Sequence, residues 1–128
     1  SNSNIYEGDW KDTAFHGRGI YTWLDGRRYE GEYKDDRKNG RGKFTYANGD
    51  TYEGKWKDGK FHGQGTFIWN DGYYHEGEFM DGIPNGQGTE TLPNGQLVGE
   101  YKDGKPWNVK GYDKERNINM KWVNGKKQ

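Results

Sequence analysis

Polar and ringed positions alternate along the start of the chain with a period of two. Tyr6, Gly8 and Trp10 fall on one side and Glu7, Asp9 and Lys11 on the other, the pattern of a half-buried strand. A second run follows, in which Gly17, Gly19, Tyr21 and Trp23 alternate with Arg18, Ile20 and Thr22. Turn-forming pairs close both runs: Asp58-Gly59, Asp81-Gly82 and Asp103-Gly104 follow later copies of the first, and Asp25-Gly26, Asn48-Gly49, Asp71-Gly72 and Asn94-Gly95 follow the second. Each pass through strand, turn, strand and turn predicts one β-hairpin.

The hairpin recurs. Tyr6-Glu7-Gly8-Asp9-Trp10 returns as Tyr29-Glu30-Gly31-Glu32-Tyr33, Tyr52-Glu53-Gly54-Lys55-Trp56 and His75-Glu76-Gly77-Glu78-Phe79, at steps of 23 residues, and as Leu97-Val98-Gly99-Glu100-Tyr101 after 22. Hairpins joined by short turns can only stack as a meander. The expectation is therefore all-β: a single-layer, elongated, twisted antiparallel β-meander of stacked β-hairpin repeats of about 23 residues, roughly 50 Å long at the usual strand spacing. Residues 1–128 read as one domain, with four clear repeats over 6–97 and a divergent fifth repeat and C-terminal cap strand over 98–125. The Trp122 and Asn124-Gly125 pattern marks a final edge strand.

Glycines share the ring side of both strands. A strand that places Gly in register with rings predicts a ring from a neighbouring strand lying over each bare backbone site. The other side, of Glu, Lys and Thr, reads as solvated.

Composition changes this picture little. A hydrophobic fraction of 28% and a mean hydropathy of -1.44 are poor for a compact globule, but aromatics at 16% and a strict register argue against disorder. There is no Cys, so neither a disulfide framework nor a thiolate metal site is available. No apolar run is long enough to span a membrane and no signal-peptide core opens the chain, which makes the cytoplasm the default location, with the membrane or cytoskeleton periphery as its variants. Ser1-Asn2 reads as a remnant of tag cleavage. Net charge is zero, yet residues 1–101 hold 12 Lys and Arg against 17 Asp and Glu, and residues 102–128 hold 8 against 3. Such a body is no platform for nucleic acid; only its basic end suits an anion.

The ordered set Tyr-Glu-Gly-x-aromatic, Asp-Gly, His/Asn-Gly-x-Gly and aromatic-x-Asp/Asn-Gly resembles the MORN (membrane occupation and recognition nexus) repeat family. The resemblance implies a twisted single sheet that serves as a scaffold or protein-interaction module, with phospholipid contact sometimes proposed, and no catalysis or cofactor of its own. Relatives carry such arrays beside lipid kinases, lysine methyltransferases, junctional membrane proteins and cytoskeletal scaffolds. Departures fall at Thr13 and Asp36, where other units have Gly and whose loops should differ in shape, and at His75, Glu90 and Leu92, where rings are expected. Residues 107–110 and 113–117 leave the pattern in the fifth unit, as a cap does.

Candidate chemistry is sparse. His16 and His62, with Asn39 and Asn85 at the same station, read as turn residues, because roughly 19 Å of sheet separates them and zinc bonds are about 2 Å. The Asp column Asp12, Asp35, Asp58, Asp81 and Asp103 fails for calcium on the same ground. Glu7, Glu30, Glu53 and Glu76 repeat too regularly to be a catalytic pair and read as solvated cross-strand partners of Lys and Arg. Gly17-x-Gly19 opens no helix and so is no phosphate loop.

What remains is the ring face. Trp10, Trp23, Tyr33, Tyr46, Trp56, Trp69, Phe79 and Tyr101 line an expected groove for a partner peptide or helix, packing on glycine with one edge and meeting the partner with the other. Lys121, Lys126 and Lys127 are the expected contacts for an anionic lipid. The C-terminal edge strand is left either blocked or paired with its twin in a homodimer. A regulatory piece of a larger enzyme and a glycan-binding platform are the other readings.

Overall fold

The computed structural model describes residues 4–128, which leaves Ser1-Asn2 outside the described residues. Every regular element is a strand: β1 (Ile5–Lys11), β2 (Ala14–Thr22), β3 (Arg28–Lys34), β4 (Arg37–Thr45), β5 (Thr51–Lys57), β6 (Lys60–Ile68), β7 (Tyr74–Met80), β8 (Ile83–Leu92), β9 (Gly95–Lys102), β10 (Lys105–Asp113), β11 (Ile118–Val123) and β12 (Lys126–Lys127). Their order in space is their order in the chain, and all neighbours are antiparallel. One open 12-stranded meander results.

The register explains the glycines. Gly8, Gly19, Gly31, Gly42, Gly54, Gly65, Gly77, Gly88 and Gly99 face one another in successive strand pairs, so a single row of bare backbone crosses from β1 to β9. Tyr6, Tyr29 and Tyr52 lie across it. A Cβ added at Gly42 would collide with the Tyr29 ring, and one at Gly65 with the Tyr52 ring. The covering ring comes from two residues earlier on the odd strand itself and reaches over both that strand's glycine and its partner's. The expectation of a ring from a neighbouring strand is thus corrected for half of each pair. Each phenol ends in a hydrogen bond, donated to the carbonyls of Asp9 (2.6 Å), Glu32 (2.9 Å) and Lys55 (2.9 Å).

Those carbonyls sit at a bulge. Between Gly31 and Tyr33 the odd strand has one residue, whereas β4 has Asn39, Gly40 and Arg41 between Lys38 and Gly42, and units 1, 3 and 4 do the same. Gly40 takes φ +94° there, a conformation that side chains disfavour. The carboxylate of Glu32 accepts the Arg41 N–H at 2.6 Å, and Asp9 and Glu78 likewise hold Arg18 (3.1 Å) and Gln87 (2.8 Å). These acids cap the bulge backbone and do more than solvate a face. His16 and His62 therefore belong to bulges inside β2 and β6, not to turns.

The tight turns lock one hairpin to the one before. The N–H groups of Asp36, Gly59, Gly82, Gly104 and Gly125 donate to the carbonyls of Phe15, Lys38, Phe61, Pro84 and Trp107 at 2.8–3.0 Å. Asp36 adopts the same left-handed conformation as Gly59 (φ 69° and 86°), so the second turn does not differ in shape as expected. Its carboxylate also accepts the Phe15 N–H at 2.7 Å, which offsets the strain. Thr13 does not take positive φ, and there the expected difference holds.

The shortened fourth repeat also has a local cause. The outer loops span 23–27, 46–50 and 69–73, closed for example by the Trp23 N–H to Arg27 O bond at 2.9 Å. In unit 4, Leu92 pairs with Gly95 across Pro93-Asn94, one residue fewer, and Gly95 already belongs to β9. The Trp122, Asn124-Gly125 pattern closes an odd strand and matches Trp56-Lys57-Asp58-Gly59 rather than an even-strand ending, because the Gly125 N–H makes the inter-unit bond of the tight turns.

Gly42→Ala and Gly65→Ala are expected to lower stability by about 1–3 kcal/mol each, as overpacking does. Tyr52→Phe, which removes only the hydroxyl bond, should lose about 1 kcal/mol. Urea midpoints of the three variants check the ranking, and a silent Gly65→Ala would show that the ring does not rest on the glycine pair.

Candidate functional site

The rings form two files on one face. In the inner file each odd-strand ring stands edge-on between two others. Tyr6 meets Trp10 at 5.1 Å and Tyr33 at 5.5 Å; Tyr29 meets Tyr33 at 5.1 Å and Trp56 at 5.3 Å; Tyr52 meets Trp56 and Phe79, both at 5.2 Å; His75 meets Phe79 at 5.6 Å and Tyr101 at 4.6 Å. The zipper buries each unit's second ring under the preceding unit. Trp10, which lacks one among the described residues, is 57% exposed, whereas Tyr33 is 6% exposed. Trp56 also donates its indole N–H to the Gly42 carbonyl at 2.9 Å.

A lid closes the inner file. Phe15 stacks flat on Tyr6 at 3.9 Å and Phe61 on Tyr52 at 3.8 Å. Lys38 takes the station in unit 2, with its ammonium 5.5 Å from the Tyr29 ring centre, and Pro84, opposite Phe79, takes it in unit 4. Sequence reasoning missed this station. Its signal is the residue before each His/Asn-Gly, which is too varied in type to register as a column.

The outer file runs Tyr21, Trp23, Phe44, Tyr46, Phe67, Trp69, with successive ring centres 4.4, 5.4, 4.7, 5.9 and 4.9 Å apart. Phe44 is buried; Trp23 and Tyr46 are half-buried; Trp69 is 36% exposed. Leu24, which follows Trp23 in the chain, is 70% exposed. Beyond Trp69 the file stops, because Glu90 and Leu92 hold the next ring positions. A cavity of about 270 Å³ opens past that point, walled by Tyr73, Leu92, Leu97 and Met120 among others.

Of the eight expected groove residues, Tyr33, Trp56, Phe79 and Tyr101 are core, since each is covered by the inner zipper. Trp10, Trp23, Tyr46 and Trp69 retain accessible surface, Trp10 at the β1 edge and the other three in the outer file. Among these eight, the ring surface left accessible is therefore Trp10 and this outer file.

Unit 4 carries a polar substitution in the core. His75 is 1% exposed and neither ring nitrogen has a partner; Glu90, directly opposite on β8, approaches its Nδ1 only to 3.7 Å, beyond a hydrogen bond. The two departures are one event, because His75–Glu90 replaces the Tyr29–Phe44 and Tyr52–Phe67 cross-strand pairs.

The opposite face is a charge ladder that changes sign. Glu30 lies opposite Lys43, and Lys43 opposite Glu53; Arg18 and Arg41 border the same shallow depression. At the far end Lys110 lies opposite Lys121. Lys126 and Lys127 follow on β12, exposed; Lys127 pairs with Trp122 and so stands on the ring side, its ammonium 5.8 Å from the Trp122 ring. Among the described residues no group of three His, Asp or Glu could hold a metal, and no helix is long and apolar enough to cross a membrane.

Burial raises the phenol pKa of Tyr29, Tyr33, Tyr46, Tyr52 and Tyr101, and that of Tyr6 to a lesser burial, with Tyr52 pushed up to about 12. Lys38 shifts down, through burial first and the nearby Arg27 second.

A family model described as MORN repeat matches the chain four times, over residues 6–26, 29–51, 52–72 and 75–97, more than half of its length. No curated protein matches it.

Two outcomes follow from this geometry. A phenol that ionises near 10 when unfolded and later when folded contributes stability that is whole below pH 10 and lost as pH climbs through the folded value. Lys38 acts in the opposite sense but is one group against six tyrosines. Stability is thus expected to fall above pH 10, with tyrosinate absorbance and loss of strand signal rising together; early ionisation of all ten tyrosines without unfolding would refute the buried zipper. Separately, His75→Tyr with Glu90→Phe should raise stability by about 1–3 kcal/mol by removing orphaned buried polar groups. His75→Tyr alone should gain less, and urea melts of both variants measure the difference.

Proposed function

The chain belongs to the MORN repeat family, and on that premise we propose that it is a non-catalytic interaction module whose outer file of rings takes an apolar segment of a partner protein, as an extended peptide or a helix. MORN repeats form a non-enzymatic repeat module associated with protein and membrane interaction. The observation that carries the reading is that Trp23, Tyr46 and Trp69 stand in a continuous file with no second layer among the described residues to cover them. Aromatic residues that keep part of their surface in water and form a row are what interface cores are built from. The outer file packs sideways on the buried inner file, with Phe44 6.1 Å from Trp56, so its rings are already held in place and little ordering entropy opposes binding.

For self-association, β1 suits pairing with a twin better than the C-terminal edge strand does. Among the described residues the last strand, β12, is two lysines long, whereas β1 is seven residues long, has no strand on its outer side and leaves Ile5 and Trp10 exposed. A twin would pair at β1. A second reading, contact with an anionic surface, is favoured by one feature: Lys110 opposite Lys121, like charges that an external anion would relieve. Cytoplasmic placement, at the membrane or cytoskeleton periphery, is in keeping with both readings.

Panning a random peptide display library on the protein tests the leading reading. Trp23→Ala and Trp69→Ala are expected to weaken the selected peptides by about 2 kcal/mol each, as truncated anchors do. Lys121→Ala with Lys126→Ala should leave them unchanged. Selected peptides that ignore both tryptophan variants would defeat the proposal, and binding to phosphatidylserine vesicles that is lost in the lysine variant would favour the second reading.

A further inference from the structure

One position breaks the ring face chemically. Units 1 and 3 close the inner file with Phe15 and Phe61; unit 2 closes it with Lys38. The Lys38 ammonium lies 5.4 Å from the Trp23 ring centre and 5.5, 5.5 and 5.8 Å from those of Tyr29, Phe44 and Trp56. Among the described residues it has no carboxylate partner: the ion pairs are Arg27 with Asp25, Arg28 with Glu30, and the His75–Glu90 approach. None of its three N–H donors meets a protein acceptor there either.

A second cation stands at the same corner. The Arg27 guanidinium lies 5.0 Å over the Trp23 ring, and its Nε is held by Asp25 at 2.9 Å. Two cations therefore share Trp23 with one carboxylate between them, on a face that is otherwise ring surface. Attraction to rings at these distances gives about 0.5–1 kcal/mol at exposed sites. Lys38 is half-buried, and attraction to rings supplies no counter-charge for the part of its hydration that the ammonium gives up there.

We propose that Lys38 is an anion anchor within the ring face, and that the partner segment carries an Asp or Glu side chain, set among apolar residues, whose carboxylate pairs with the Lys38 ammonium while its neighbours pack on Trp23 and Tyr46. This inference rests on the proposed function and names the chemistry of its partner. A carboxylate suits the corner better than a phosphate, because a phosphate calls for several donors and Arg27 already gives its Nε to Asp25. The anchor also sets register. The outer file repeats every 23 residues and offers an apolar segment equivalent seats; one cation, present in unit 2 alone at this station, distinguishes them.

Peptide panning on the native protein and on Lys38→Phe tests this. Lys38→Phe installs the residue that units 1 and 3 carry, so it should fold, and a urea melt verifies that. Peptides selected on the native protein are expected to contain an acidic residue flanked by apolar ones, and those selected on Lys38→Phe to lack that preference. For one selected peptide, replacing its Asp by Asn or Glu by Gln should weaken binding about tenfold to the native protein and leave binding to Lys38→Phe unchanged. Equal losses on both proteins would overturn the anchor while leaving the ring-face reading intact. A phosphoserine peptide that outcompetes the acidic one would overturn the carboxylate assignment. Failure of any selected peptide to depend on Trp23 or Trp69 would remove the docking face, and the anchor with it.

Discussion

The structure depends on a tyrosine ring lying flat over two glycines that face each other on adjacent strands. A single sheet has no second layer to exclude water, so its apolar material must cover itself. Tyr29 and Tyr52 reach full burial this way, and a ring wholly withdrawn from water contributes about 1.5–3 kcal/mol. The arrangement dictates its neighbours. The phenol must end on an acceptor, which the carbonyl at position i+3 supplies. Opposite that residue three residues of the even strand face one, which requires a glycine at left-handed φ and, in units 1, 2 and 4, brings a side-chain cap to the following N–H. One contact thereby accounts for the Tyr, the paired glycines, the His/Asn-Gly step and, in units 1, 2 and 4, the acid before the second ring.

Stacking extends this unit in one dimension. Each second ring is buried by the unit before it and each tight turn is bonded to the strand before it, so a unit's stability is largely its neighbour's gift. Ends and irregular units bear the consequences. Trp10 has no preceding unit among the described residues and stays exposed. At the other end the row of bare backbone stops at Val109, which with Leu97 and Tyr101 forms a small core of its own, part aliphatic and part aromatic. His75 and Glu90 stand just before this change of packing, where the ring-on-glycine logic is already giving way.

Period, hairpins, meander and glycine-under-ring packing were legible in the residues, because each is written as residue type at fixed spacing. The bulges were not, since His16-Gly17 and Asn39-Gly40 carry the same signal as a turn and only strand register separates the two. Nor was the burial of Tyr33, Trp56, Phe79 and Tyr101. The sequence marks them as rings, but what covers them is the previous repeat, a relation between units rather than within one. The Asp36 turn misled for a different reason: a side chain hydrogen bond to the preceding unit offsets a conformation that composition alone assigns to glycine.

The same packing separates the residues that make the fold from those that can make it specific. The Tyr, its glycines and the bulge cap are interdependent, so changing one disturbs the others. The lid station tolerates Phe, Lys and Pro, because its only structural duty is to present something flat or slender over the ring below. The outer file needs side chains large enough to lean on one another, and it tolerates Trp, Tyr and Phe alike. Differences between units therefore accumulate at the lid and along the outer file, which border the same surface. A repeat array built this way holds its shape with one set of residues and distinguishes its seats with another, and in this chain the sharpest distinction on the ring face is the charge of Lys38.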